Sequence, residues 1–205
     1  MLLLLRHGQS EANAAGLLAG RFDVELTEHG RREARAAGAL LGPVAEVRSS
    51  PLRRAQETAQ LAVPGQPLHL DDRFIELDYG EFDGRPISEV PHELWLRWQR
   101  DVDFAPSGGE SHRELGRRVR AACEELFAED GAGARRPEGA VVVVSHVSPI
   151  KAAVAWALGA GDEVAWRLQL ANASVTAIEW GPRGPVLVAF NHRPILDAHW
   201  SGFGR

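Results

Sequence analysis

Apolar residues fall along this chain in two kinds of run. Leu2-Leu3-Leu4-Leu5 and Val141-Val142-Val143-Val144 are unbroken, the pattern of strands buried on both faces, and each gives way at once to polar residues, Arg6-His7-Gly8 and Ser145-His146. The stretch from Thr27 to about Leu41 instead carries helical spacing, with Thr27 as N-cap and Gly42-Pro43 as stop. Glu46 to Ser50 reads as a short strand, and Pro51 suits the first turn of the helix after it. Leu68 to Phe74 predicts a strand, Pro86 to Arg100 a helix, and Ser111 to about Glu129 another helix. Gly131 to Gly139 reads as a connection with solvated arginines. Asn172 to Trp180 and Val186 to Asn191 read as closing strands, the second at an edge, and the tail from His192 carries no clear signal. Strands alternating with helices point to an α/β protein.

Two buried strands ending in histidine place polar groups where α/β sheets bind ligands, at the carboxyl ends of strands. Arg6 offers a planar, permanently charged fork, and His7 a nitrogen that is neutral and nucleophilic near pH 7. Gly8 allows a turn and close approach; Ser10 and Asn13 can donate to a ligand or cap the next segment. Downstream, Arg54 in Ser49-Ser50-Pro51-Leu52-Arg53-Arg54-Ala55 stands at a helix N-terminus, which itself favours anions. Arg53 lies about 100° round that helix and can face solvent; a surface pair of Arg54 with Glu57 or Glu33 is the alternative. Glu76, in Ile75-Glu76-Leu77-Asp78-Tyr79-Gly80, is a carboxylate between apolar neighbours, whereas Asp78, Glu81 and Asp83 read as solvated or capping groups. Trp95 and Trp98 stand three apart on one helix face, usually a packing arrangement.

Composition narrows the partners. The chain has 205 residues, is 44% hydrophobic and carries a formal net charge of -5, which argues against nonspecific nucleic-acid binding while leaving room for one local basic pocket. Cys123 is the only cysteine, so an intrachain disulfide and a cysteine zinc site are both excluded. The histidines show no metal-ligand spacing. With no signal-peptide core and no run of transmembrane length, a cytoplasmic protein is expected, with no membrane partner.

Arg6-His7-Gly8 after an N-terminal apolar strand resembles the signature of the histidine phosphatase superfamily, the phosphoglycerate mutase-like family, and distant segments agree. Ser49 to Ala59 is similar to its second motif, in which Arg54 would grip the transferred phosphoryl group. Glu76 with Gly80 four later looks like its acid motif, and Ser145-His146 its final one. Ala19 to Thr27 resembles a substrate-facing loop, with Gly20 passing close to the ligand. The family usually has glycine after the final histidine; Val147 stands there instead and cannot easily take a positive φ, so a different local turn is expected.

The resemblance implies a single domain over 1–205, a three-layer α/β/α sandwich with a mostly parallel central sheet, and a small helical lid at 85–107. It implies a histidine acid phosphatase-type phosphoric monoester hydrolase needing no cofactor or metal. His7 would attack phosphorus in line; Arg6, Arg54 and His146 would hold the spread charge. Glu76, protonated mainly when substrate is bound, would protonate the departing oxygen and then activate water against the phosphohistidine. Ser10, Asn13, Gly20, Tyr79 and Val147 would contact substrate, a small phosphorylated metabolite; a homodimer is left open. Family mutases carry a longer, more basic insertion before the segment matching Gly108-Gly109-Glu110. Here only Arg85, Arg97 and Arg100 occupy it, which favours a phosphatase.

Overall fold

The computed structural model describes residues 1–128 and 139–194, so the predicted connection at 131–138 and the tail beyond 194 lie outside the described residues. Six strands form one sheet in the order β3-β2-β4-β1-β5-β6: β1 Leu2–Arg6, β2 Val44–Ser49, β3 Leu68–Leu70, β4 Ala140–Ser145, β5 Val175–Gly181 and β6 Gly184–His192. The first four in that order run parallel; β5 pairs antiparallel with β1 and with β6. β6 is the expected edge strand.

Both leucine and valine runs are buried on two faces because successive side chains alternate across the sheet. Leu2, Leu4 and Val143 enter one core with Leu115, Val119 and Cys123 of α5 (His112–Ala128) and Ile150 and Ala153 of α6 (Val147–Ala157). Leu3, Leu5, Val142 and Val144 enter the other with Ala37 of α2 (Glu28–Gly38) and Ala55, Ala59 and Ala62 of α3 (Arg53–Ala62). Helices therefore cover both faces, as the α/β reading requires. A third cluster packs Trp98 of α4 (His92–Arg100) with Leu18 and Val90, against Tyr79, Phe82, Trp95, Phe104 and Trp166. Trp98 is thus core, as its spacing suggested. Among the described residues no helix is long and apolar enough to cross a membrane.

Several predicted boundaries differ, and at three of them the cause is visible. The strand from Leu68 stops at Leu70, because the Asp71 side chain accepts the Arg73 N–H and turns Asp72–Phe74 into a 3₁₀ turn. Pro86 to Arg100 is not one helix: Ile87–Glu89 is a separate 3₁₀ turn, and α4 begins only after Pro91, which has no N–H with which to continue a preceding turn. Pro51 lies outside α3, since Leu52 is its extended N-cap residue. Thr27 caps α2 as predicted, accepting the Gly30 N–H at 3.0 Å.

Candidate active site

Parallel pairing of β1 with β4 sets Arg6 opposite Ser145, so the next residue of each strand, His7 and His146, emerges side by side. Their ring centroids lie 5.0 Å apart. His7 is pinned through its backbone, its N–H donating to Ser145 O and its carbonyl accepting from Ala173. Ala173 holds φ 51°, a left-handed conformation that costs energy outside glycine, beside His7.

The two imidazoles have assignable tautomers. His7 Nδ1 lies 2.7 Å from Gly8 O; a carbonyl only accepts, so the proton sits on Nδ1 and the Nε2 lone pair is left bare. His146 Nε2 lies 2.7 Å from Ser50 Oγ, which also accepts the Leu52 N–H. Donation of the Ser50 hydroxyl proton to Nε2 uses every group and puts the His146 proton on Nδ1, a buried atom with no partner among the described residues. Burial, then Arg54, holds both imidazoles well below the usual 6.5, with Arg6 adding to the effect in each; in His146 the neighbouring His7 contributes too. Both rings are therefore neutral at pH 7.

Arg54 is fully buried and is no surface ion pair. Its Nη1 donates to Phe22 O at 2.9 Å and its Nη2 to Ala19 O and Gly20 O at 3.1 and 2.6 Å, while Nε has no partner among the described residues. The alternative partners are engaged elsewhere: Glu57 holds Arg31, and Glu33 accepts the Gln9 N–H. Arg53 turns outward to pair with Glu25, as its position on the helix predicted. Arg6 donates to Leu170 O at 2.5 Å and likewise keeps a buried Nε with no partner among the described residues. Desolvation pulls the Arg6 guanidinium down to about 10 and lowers that of Arg54, yet both remain charged at pH 7. Arg6 Nε, Arg54 Nε and His146 Nδ1 are three buried donors that no group among the described residues satisfies, an arrangement that awaits an acceptor.

Glu76 is buried, its Oε1 accepting the Leu77 N–H at 2.7 Å and the Ser148 N–H, at the start of α6, at 3.2 Å. The phenol of Tyr79 is pushed above its usual 10 by desolvation and by Glu76, with the Ser148 side chain opposing the shift. Val147 is the first residue of α6 and does not take a positive φ; the expected difficulty with valine does not arise, because this turn enters a helix directly. Ser10 and Asn13 form a reciprocal capping box on the short helix α1 (Glu11–Ala14), Ser10 Oγ accepting the Asn13 N–H and Asn13 Oδ1 accepting the Ser10 N–H. Gly20 is needed against protein rather than ligand, since a Cβ there would lie 2.4 Å from Leu77 O. Among the described residues no three His, Cys, Asp or Glu side chains are grouped to hold a metal ion.

Several supporting residues escaped the sequence reading. Ser50 sets the His146 tautomer. Thr58 Oγ1 accepts the Gly8 N–H and donates to Arg54 O, tying the two motifs together. Asp83, read from the sequence as a solvated or capping group, does cap, accepting the N–H groups of Gly20, Arg21 and Phe22 at 2.7 to 2.9 Å; what the sequence did not show is that it shapes the loop whose carbonyls hold Arg54. Arg118 pairs with Glu110 and donates to the carbonyls of Arg73 and Glu76. Only the repeated apolar-to-polar switch at strand ends could have flagged Ser50; contacts such as Arg118 to Glu76 O join residues distant in sequence and leave no local signal.

The fold and site define a class: an α/β protein with two neutral histidines, the buried Arg54 and the half-buried Arg6 at the carboxyl edge of a mostly parallel sheet. The model of the histidine phosphatase superfamily (branch 1) matches residues 2–193, and the chain belongs to that family. It is 40% identical over 188 residues to the bifunctional protein Rv2228c of Mycobacterium tuberculosis, covering 87% of this chain and 50% of that protein; the chain spans about half the length of that curated relative. Phosphoserine phosphatase 1 of Hydrogenobacter thermophilus is 32% identical over 200 residues, covering 93% of this chain and 91% of its own. The native structure of mycobacterial glucosyl-3-phosphoglycerate phosphatase superposes with a TM-score of 0.80 at 33% identity, covering 93% of this chain and 98% of that one.

Proposed function

We propose that this protein is a phosphomonoesterase acting on small phosphorylated metabolites through a phosphohistidine at His7. The observation that carries the reading is the His7 tautomer: with Nδ1–H donated to Gly8 O, the bare Nε2 faces the chemistry as a neutral nucleophile. Arg6 Nε, Arg54 Nε and His146 Nδ1–H, otherwise unpartnered, take the phosphoryl oxygens. Preorganised donors of this kind in a dry site are worth about 3 kcal/mol each in the transition state. Glu76 protonates the departing oxygen, and the same carboxylate then takes a proton from the water that attacks the phosphohistidine. The named phosphatases among the relatives support hydrolysis, and the lid at 85–107 supports it over phosphoryl return: Arg97 lies over the Phe104 ring at 4.0 Å and Arg85 over the Phe82 ring at 5.8 Å, so two of its cations are drawn to aromatic faces.

The test compares wild type with Glu76→Gln in EDTA on an alkyl and an aryl ester, glycerol 3-phosphate and p-nitrophenyl phosphate. The variant should lose about a hundredfold or more on the alkyl ester, whose leaving group needs a proton, and far less on the aryl ester. Equal losses would remove Glu76 from the acid role. A wild-type protein that releases phosphate from neither ester, or that converts 3-phosphoglycerate mainly to its 2-isomer when 2,3-bisphosphoglycerate is added, would overturn the phosphatase reading.

A further inference from the structure

Asn191 is the last residue but one of the edge strand β6, and it holds φ 55°, in the left-handed region that asparagine tolerates better than most residues. The pairing of β5 with β6 shows why the chain bends there. His192 faces Val175 and Ala189 faces Ala177, so β6 carries an extra residue over that step, which is a bulge. The Asn191 N–H donates to the buried Thr176 Oγ1 at 3.3 Å and holds the bulge in place. Its side chain reaches the turn that precedes β5, at the end of the sheet where β1 delivers Arg6 and His7.

There the Asn191 amide oxygen accepts the Ala171 N–H at 2.8 Å. Ala171 opens a four-residue turn: its carbonyl accepts the Ser174 N–H at 3.4 Å and the Ser174 hydroxyl at 2.7 Å. Ala173, with φ 51°, occupies the third position, where a positive φ ordinarily calls for glycine or asparagine. Alanine stays in that conformation only where its surroundings over-determine it. The backbone groups of this turn go to the site. Leu170 O accepts from Arg6 Nη1 at 2.5 Å, Ser174 O accepts the Arg6 N–H at 3.0 Å, and the Ala173 N–H donates to His7 O at 3.1 Å. A guanidinium is planar and rigid, so a carbonyl fixed at Nη1 also fixes the direction in which Nε points. That Nε is the buried donor with no partner among the described residues.

We propose that Asn191 is a positioning residue for the phosphoryl-transfer site: its amide oxygen holds the turn at 170–174, and the carbonyls of that turn aim Arg6. The proposal rests on the phosphatase reading above and gives that site a support from the far edge of the sheet, in a segment whose sequence marks it only as a closing strand. The Ala171 N–H can only donate, so the amide must present its oxygen, and the effect of Asn191 is that of a single acceptor. Without it the Ala171 N–H loses its partner, and the strained Ala173 loses one of the bonds that keep it left-handed.

Two variants isolate the acceptor. Asn191→Gly removes the amide without straining the backbone, since glycine takes the left-handed conformation freely, and Asn191→Asp keeps an acceptor oxygen at the same place. On p-nitrophenyl phosphate, Asn191→Gly should lose about tenfold or more in kcat/KM, the scale on which misplacement far from the chemistry acts. It should also weaken the binding of inorganic phosphate measured by calorimetry, and Asn191→Asp should restore most of both. In an Arg6→Gln background the Asn191→Gly change should cost about twofold or less, because residues that act through one network are not additive. An equal fold loss in both backgrounds would overturn the proposal by making Asn191 a support of the fold alone, as would an Asn191→Asp variant no better than Asn191→Gly. Wild-type kcat/KM in Asn191→Gly would sink this inference alone; a wild-type protein that releases no phosphate would sink the phosphatase reading with it.

Discussion

Each residue at the centre of this site is set by one neighbour that fixes its protonation or aim. Gly8 O leaves the His7 lone pair at Nε2, and Ser50 leaves the His146 proton at Nδ1. Nitrogen-resolved NMR of selectively labelled protein should therefore find both rings neutral and Nδ1-protonated at pH 6, with no titration near 6.5, because burial and the two guanidiniums oppose a positive ring. A ring titrating at its ordinary value would contradict this electrostatic account. The principal groups were legible because their motifs are local: a cation, an imidazole and a glycine directly after a buried strand. Ser50 lay in a segment already singled out, yet what it does depends on the side chain that the fold brings opposite it.

At the scale of elements, loops lend their backbone to side chains from other elements. The carbonyls of residues 19, 20 and 22 aim Arg54, and Asp83 holds that loop by three N–H groups. Asp83→Ala should therefore lower kcat/KM toward the roughly hundredfold cost of misplacing one transition-state donor. Wild-type kcat/KM in that variant, measured on p-nitrophenyl phosphate, would mean that Arg54 is aimed without the loop. Packing of α2 on the His7 turn is equally close: a Cβ on Gly30 would sit 2.0 Å from Gln9 O, and one on Gly8 2.3 Å from Gly30 O. The sequence reading of Gly8 as permitting close approach was right, and the partner is a helix backbone. Element identity followed from periodicity, while ends were misplaced where a side chain or a proline intervened, as at Asp71 and Pro91.

Across the whole molecule, the sheet order brings β1, β2 and β4 to one edge, so residues 6, 7, 50, 54 and 146 meet although the chain separates them widely. That convergence was legible in outline from two apolar runs with the same ending; the antiparallel attachment of β5 between β1 and β6 was not, since a strand's direction leaves no mark on its own composition. Burying neutral histidines also ties stability to pH. Below about 6.5 the unfolded chain binds protons that the folded His7, His146 and His112 refuse, so their contribution is complete above that value and is lost as pH falls through the folded values, about 4 for His112. His112 alone accounts for about 3 kcal/mol at pH 4. Thermal melts of His112→Phe should show a shallower fall in Tm between pH 6.5 and 4 than wild type; superimposable slopes would contradict the assignment.

The central claim is that phosphoryl transfer passes through His7 Nε2. Rapid-quench mixing of the protein with radiolabelled p-nitrophenyl phosphate, followed by peptide mapping under alkaline conditions and phosphorus NMR of the isolated peptide, reads both the residue and the ring atom. The prediction is one acid-labile phosphoryl group per chain on His7, attached at Nε2, appearing before free phosphate and absent from His7→Ala. Label on His146, attachment at Nδ1, or steady phosphate release with no phosphorylated peptide at any quench time would contradict it.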